Sequence, residues 1–259
     1  MKLEERQDRI VALLKSQATV EISELSRALD VSRETVRKDL YDLERAGVLT
    51  KVRGGAVLAS GRHESAYDVR RGRESDAKLA IAREAAELVQ PGDTVYLDYG
   101  TSTYALAQEL KAMDGITVVT NALPIVNLLV ASPGITLMIP GGIVRTNENS
   151  LYGPLAERNL KALFMNIGFF GCGGVHPDSG VTNHNMFETA ASRTAIEHSQ
   201  NVVILADHSK FGVIAENLTA DFDEIDQLIT DSSASAEAIA QLRASGVAVT
   251  TAMKGNTPE

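Results

Sequence analysis

The chain has 259 residues, enough for one large domain or a small and a medium one at roughly 100–200 residues each. Hydrophobic residues at 44 % and charged residues at 23 % exclude a disordered chain, and the single cysteine, Cys172, excludes an internal disulfide framework or a cysteine-rich zinc site. The opening MKLEERQDRI has no apolar signal core, and no apolar stretch approaches the length of a membrane span. The expectation is a cytoplasmic protein with no membrane partner.

The net charge of −9 is unevenly spread. Residues 1–73 carry 15 Lys and Arg against 12 Asp and Glu, whereas the remainder carries 10 against 22. A basic head on an acidic body fits two parts with different partners, the head being compatible with DNA.

Leu3, Ile10, Leu13 and Leu14 form the apolar stripe of a first helix over Leu3–Leu14. Ile22, Leu25 and Leu29 mark a second helix, Glu21–Leu29. After the break at Asp30-Val31, Ser32 stands where an N-cap belongs for a third helix running to about Ala46 and stopped by Gly47. Val36, Leu40 and Leu43 share its inner face, while Arg33, Arg37 and Lys38 fall outside, with Thr35 at the edge. Val48–Val52 alternates as a strand, Arg53-Gly54-Gly55 turns, and Ala56–Leu58 returns. Helix, turn, helix and hairpin together describe a winged helix-turn-helix over residues 1–58. In that arrangement Ser32, Arg33, Thr35, Arg37 and Lys38 face the major groove, and Arg53 with Gly54 and Gly55 lays the wing on phosphate. A small helical domain with a solvated charged face has the same periodicities.

Residues 59–76 are polar and basic and are assigned to a linker. A second domain is expected over 77–253, with a tail at 254–259. Here helices and strands alternate: helix Lys78–Val89, strand Thr94–Asp98, helix Ser102–Lys111, strand Ile116–Thr120, helix Leu123–Val130, strand Ile135–Ile139, helix Pro154–Leu163, strand Ile167–Phe170, helix Phe187–Ser199, strand Val202–Ala206, strand Gln227–Thr230, helix Ala234–Ala244 and strand Val247–Thr251. That alternation gives an α/β fold with a mainly parallel, Rossmann-like sheet, whose ligands gather outside the carboxyl ends of the strands.

Several of those ends carry polar or glycine-rich sequences. Asp98-Tyr99-Gly100-Thr101-Ser102-Thr103 places a glycine and three hydroxyls at a helix N-terminus, which suits an anion such as phosphate; the same residues also serve as a plain cap. Thr120-Asn121 offers polyol contacts or another cap. Gly141-Gly142 permits close approach of a ligand or of backbone. Lys210, in Asp207–Gly212, supplies positive charge or is surface decoration. His176 and His184 flank a loop with Cys172 and Asp178, but the spacing fits no common zinc signature, so no metal is expected.

The string VSRETVRKDLYDLERAGVLTKVRGGA resembles the N-terminal signature of DeoR-family bacterial repressors, S-x-x-T-[VI]-R-x-D-L-x-x-L-E-x-x-G followed by a wing ending R-G-G-A. The later motifs resemble the sensor domain of the same family: Asp98–Thr103, Val119–Asn121, Gly141–Arg145, Gly171–Gly174, Asp207–Phe211 and Ile229–Asp231. The resemblance implies a transcription regulator, a repressor of a carbohydrate operon, bound to double-stranded operator DNA as a homodimer or homotetramer. Its sensor domain would share the fold of sugar-phosphate isomerases and would need no cofactor. A phosphorylated sugar would sit on Gly100, Thr101, Ser102 and Thr103 with Lys210 nearby, and Asp98, Thr120, Asn121, Gly141, Gly142, Arg145, His184 and Glu188 would line the rest. Two positions depart from the family pattern: Asn166 stands where many members carry Asp, and Ser192-Arg193 stands where many carry Lys-Arg. Both losses are expected at the pocket wall. The alternative is a sugar-phosphate isomerase or deaminase with an accessory head, using Asp98 or Glu188 as base. A corepressor-dependent activator is a third reading.

Overall fold

The computed structural model describes residues 3–17, 19–45, 48–52, 54–58 and 67–253. The chain divides into two compact units, Met1–Arg70 and Arg71–Glu259.

The first unit contains α1 (Leu3–Ser16), β1 (Thr19–Glu21), α2 (Ile22–Ala28), α3 (Arg33–Arg45), β2 (Leu49–Val52) and β3 (Gly55–Leu58). Ile10, Leu14, Leu25, Val36, Leu40 and Leu49 are almost wholly buried together, so the three amphipathic helices and the hairpin share one core. The strand β1 escapes the sequence pattern because it is only three residues long. It pairs antiparallel with β3, so the hairpin becomes a sheet of order β1-β3-β2. This pairing explains Gly55. A Cβ there would lie 2.3 Å from the Val20 carbonyl oxygen, so the residue is glycine to admit β1. Gly55 is buried, which corrects its placement among the DNA contacts. Arg53, and the helix stop expected at Gly47, lie outside the described residues.

Of the expected linker, 59–66 lies outside the described residues, as does the tail, 254–259. Tyr67–Gly72, read as linker from its basic composition, is instead a helix, α4, and α5 (Ser75–Ala86) begins at once. The basic run misleads because Arg71 is engaged: its guanidinium lies 4.4 Å from the Tyr104 ring centroid and donates to the Tyr104 hydroxyl.

The second unit continues with β4 (Thr94–Leu97), α6 (Thr101–Leu110), β5 (Ile116–Thr120), α7 (Leu123–Leu129), β6 (Ile135–Met138), β7 (Ile143–Arg145), β8 (Ser150–Tyr152), α8 (Pro154–Leu160), β9 (Ile167–Gly171), β10 (Gly174–His176), β11 (Gly180–Asn183), α9 (Met186–Glu197), β12 (Val202–Leu205), β13 (Asn217–Ala220), β14 (Gln227–Asp231), α10 (Ala236–Ala244) and β15 (Ala248–Ala252). Seven strands form one parallel sheet of order β15-β14-β12-β9-β4-β5-β6. Its strands are apolar on both faces, as burial under two helical layers requires. Val95, Leu97, Phe169 and Leu205 pack beneath α5, α6 and α7, while Tyr96, Phe170, Ile204 and Leu228 pack beneath α8, α9 and α10. The short antiparallel sheets β7-β8 and β10-β11-β13 lie outside this alternation. Their three- and four-residue strands carry no readable period.

The connections fix where a ligand site forms. From β4 the chain steps to β5 and β6 on one side, then returns to place β9 against the other side of β4. The reversal falls between β4 and β9, whose carboxyl ends are joined by the bond from the Asp98 amide to the Phe169 carbonyl at 3.0 Å.

Candidate functional site

In the head, the Ser32 hydroxyl accepts from the Thr35 amide at 3.0 Å and lies 2.8 Å from the Thr35 hydroxyl, so it caps α3. Arg33, Arg37 and Lys38 are exposed on that helix. Asp39, on the inner side, is 1 % exposed and is held by the Arg6 guanidinium at 2.5 and 2.8 Å. The inner face of α3 is therefore anchored by both apolar packing and an ion pair, which leaves its basic side chains projecting from a fixed helix.

In the second unit, Gly100 follows β4 and precedes α6. Its φ of 129° is a conformation that favours glycine, while a Cβ would meet only the Thr103 hydroxyl at 3.7 Å. Backbone geometry, not space, selects this glycine. No side chain caps α6, so the helix presents its first amides and its positive end at the point where strand order reverses. The Thr103 hydroxyl donates back to the Gly100 carbonyl and tightens the turn.

Beside this turn lies a buried polar cluster. Asp98 is fully buried. One carboxylate oxygen accepts from the Ser192 hydroxyl at 2.8 Å and the other from the Tyr96 hydroxyl at 3.3 Å. Burial pushes the Asp98 carboxyl up to about 7; the bonds from Ser192, the Tyr99 amide and Tyr96 oppose that rise, and the charge of Glu188 adds to it. Glu188, also fully buried, takes one oxygen to Arg145 on β7 and the other to the Ser150 hydroxyl on β8. The short hairpin and α9 are thus tied together through charge. Asn185 caps α9 by accepting from the Phe187 and Glu188 amides, which fixes Glu188 in the first turn.

Asn121, at the end of β5, is fully buried, and its side-chain oxygen has no hydrogen-bond partner among the described residues. Its amide nitrogen reaches the Leu151 carbonyl at 3.4 Å. Thr120 differs from the expectation. Its hydroxyl donates to the Leu97 carbonyl and accepts from the Ala122 amide, so it fastens β5 to β4. Gly142 also has a structural reason, since a Cβ would lie 2.6 Å from the Tyr152 carbonyl oxygen. Gly141 faces Leu155.

A second group gathers at the end of β9. Burial raises the pKa of the Cys172 thiol, with Lys210 opposing and Asp207 reinforcing that rise. This coupling places Lys210 and Asp207 at the same strand end. His184 packs over Gly173 and its Nδ1 lies 2.9 Å from Glu216. His176 Nδ1 accepts from the Asp178 amide within its own turn.

Asn166 is a correction. It precedes β9 at the amino end of the sheet, where its side chain accepts from the Thr94 amide at 2.9 Å and its carbonyl from Asn201. It is remote from the strand ends that bear the site, so its identity carries no weight about chemistry there. Ser192, by contrast, is a direct partner of Asp98. Sequence reasoning marked it only as a departure, and it missed Tyr96 and Ser150 altogether. No local pattern announces a hydroxyl that meets a carboxylate from a distant element.

Residues 6–62 match the DeoR-like helix-turn-helix domain, and residues 73–232 match the DeoR C terminal sensor domain. The chain belongs to the DeoR family. Among its DeoR relatives are the HTH-type transcriptional regulator GolR of Listeria innocua serovar 6a, 37 % identical over 88 % of this chain and 90 % of that one, and the putative aga operon transcriptional repressor of Escherichia coli O157:H7, 30 % identical over 95 % and 92 %. A ribose 5-phosphate isomerase A from Methanocaldococcus jannaschii aligns with a TM-score of 0.40 and 19 % identity, covering 53 % of this chain and 54 % of the isomerase. Among the described residues of this DeoR protein, no helix is long and apolar enough to cross a membrane.

Proposed function

We propose that this DeoR-family regulator is a repressor of a carbohydrate-utilisation operon whose operator affinity is set by a phosphorylated sugar. The head supplies Ser32, Arg33, Thr35, Arg37 and Lys38 to the major groove, with Arg53 and Gly54 of the wing on backbone phosphate. The sensor domain takes the sugar phosphate, with the phosphate on Gly100–Thr103 and Lys210, and the hydroxyls on Asp98, Asn121, Arg145, His184 and Glu188. The chain acts in the cytoplasm as a dimer or tetramer, so that two heads address half-sites about one helical turn or a multiple apart.

The observation that carries the sensor reading is the uncapped N-terminus of α6 at the switch point, with the unpartnered oxygen of buried Asn121 on the neighbouring strand end. One offers donors to an anion; the other needs a donor such as a sugar hydroxyl. A coupling of about 1–3 kcal/mol between pocket and head would change operator affinity several-fold to over a hundredfold. The isomerase alternative lacks a free base. Both oxygens of Asp98 accept from protein hydroxyls, and both oxygens of Glu188 are held by Arg145 and Ser150. We therefore expect no exchange of solvent deuterium into C2 of a bound sugar phosphate.

The test is thermal unfolding against a panel of phosphorylated sugars and their unphosphorylated parents. A ligand at a hundred times its Kd stabilises the domain that binds it by about 2.7 kcal/mol. One phosphosugar should raise the melting temperature while its parent does not. A parent that stabilises equally would remove the phosphate site.

A further inference from the structure

Sheet edges and apolar surface converge at one corner of the sensor domain. Strand β6 is an edge of the seven-stranded sheet. Edge strands are commonly guarded by charge, yet no Asp, Glu, Lys, Arg or His occurs from Gly115 to Val144. That run contains β6 and most of β7, within a part of the chain that carries 22 acidic against 10 basic residues. Met138 and Ile139 at the end of β6, and Ile143 and Val144 on β7, are all exposed.

The apolar surface continues through direct contacts. Ile143 pairs with Tyr152 across the β7–β8 hairpin and covers Gly153. Tyr152 stacks on Phe187 of α9 with ring centroids 5.7 Å apart, and Leu155 of α8 covers Gly141. Ile143, Leu155 and Phe187 are 56, 47 and 53 % exposed. A contiguous exposed apolar patch of this kind marks an association surface.

We infer that this β6–β7–β8 corner, with Leu155 and Phe187, is the face on which a second copy of this chain docks. Charge selects the occupant. Two strongly acidic sensor domains repel each other over most orientations, and the uncharged corner is where they meet without like charges opposed. An edge strand on a two-fold axis also meets its own copy antiparallel, which is the self-complementary geometry of an isologous interface. The inference goes beyond the effector reading and does not require it. It does connect to the site, because Arg145, which holds Glu188, lies on the same three-residue strand as Ile143.

The experiment is sedimentation equilibrium of the full chain at micromolar concentration, for wild type, Ile143→Lys, Leu155→Lys and the control Phe164→Lys. Phe164 is 78 % exposed and lies between α8 and β9, outside the patch. The expected result is an oligomeric wild type and control, with the mass of both patch variants falling to half or less. Circular dichroism must show wild-type folding in each. A wild type that sediments as a 27.7 kDa monomer, or patch variants that are folded and keep the wild-type mass, overturns the inference. So does a Phe164→Lys variant that dissociates equally, since charge anywhere would then suffice. The phosphosugar melting shift is read separately on the same variants, so failure of the effector reading leaves this outcome unaffected.

Discussion

The Ser192 hydroxyl of α9 donates to the Asp98 carboxylate at 2.8 Å, across 94 residues of sequence, and also reaches the Glu188 carbonyl one turn back on its own helix. Asp98 and Glu188 are two fully buried carboxylates in one cluster, with Arg145 at Glu188 and only hydroxyls and an amide at Asp98. The elevated carboxyl at Asp98 is a direct consequence: burial without a cationic partner favours the protonated form. Buried acidic groups held this way reduce stability, and they persist where a site uses them.

Replacing Asp98 with Asn tests that cost. The folded carboxyl titrates near 7, and in the unfolded chain near about 3.9. Below about pH 4 both states are protonated and Asp98 costs nothing; the cost grows as pH rises toward 7 and is constant above it. Asp98→Asn should therefore gain on wild type by on the order of 4 kcal/mol between about pH 4 and pH 8. Urea unfolding of both proteins at the two pH values measures this. A difference independent of pH would show that the carboxyl is not perturbed. The same variant should lose its phosphosugar response.

The parallel sheet and the head were legible because their signals are local and periodic. Leu40 lies on the inner face of an amphipathic helix, and Val95 to Leu97 is continuously apolar, as a strand covered on both faces must be. The strand-end glycines and hydroxyls were legible for the same reason, since turns concentrate them. What was hidden depends on pairing across the chain. Gly55 reads as a wing glycine until β1 is seen against it, Gly142 reads as a ligand contact until Tyr152 lies over it, and Asn166 stands at the opposite end of its strand from the site. The contact of Ser192 with Asp98 has no local signature at all.

Arg37→Ala should separate the two halves of the function. Arg37 is exposed on α3, whose inner face is fixed by Val36, Leu40 and the Arg6–Asp39 pair. A base contact is worth about 1–3 kcal/mol, so affinity for an operator selected by the wild-type protein from random duplexes should fall about tenfold to a hundredfold. Fluorescence anisotropy at fixed salt measures it. The phosphosugar melting shift should be unchanged; loss of both in a folded variant would refute the division of labour.

Leu40→Ala should unfold the head alone. Leu40 is fully buried in a core separate from those of the sheet domain. Truncating a buried leucine costs about 2–5 kcal/mol, most of the stability of a unit this small. Calorimetry should show the head transition lost or moved far down, with the sensor transition in place. A single cooperative shift of the whole trace would show that the two units do not melt independently.

Gly100→Ala should strike the phosphate turn. The φ of 129° with ψ of 172° lies in a region nearly restricted to glycine, and an alanine there costs about 1–3 kcal/mol or forces the turn to change. Either outcome displaces the α6 amides. The sensor melting temperature should fall modestly and the phosphosugar shift should disappear. A variant that retains the shift would place the phosphate elsewhere in the domain.

Ser192→Ala gives the sharpest test of the cluster, because its effect has a sign in pH. The hydroxyl lowers the Asp98 carboxyl against the larger upward push of burial. Removing it leaves a buried carboxylate short of a donor, which costs about 1–3 kcal/mol while Asp98 is ionised. Once Asp98 is protonated the missing donor matters less, so the penalty should shrink as pH falls toward about 4. In an Asp98→Asn background the penalty of Ser192→Ala should be small at every pH. The difference between the two backgrounds is the interaction energy of the pair, which a double-mutant cycle isolates. An equal penalty in both backgrounds would mean that Ser192 acts through its bond to the Glu188 carbonyl and not through Asp98.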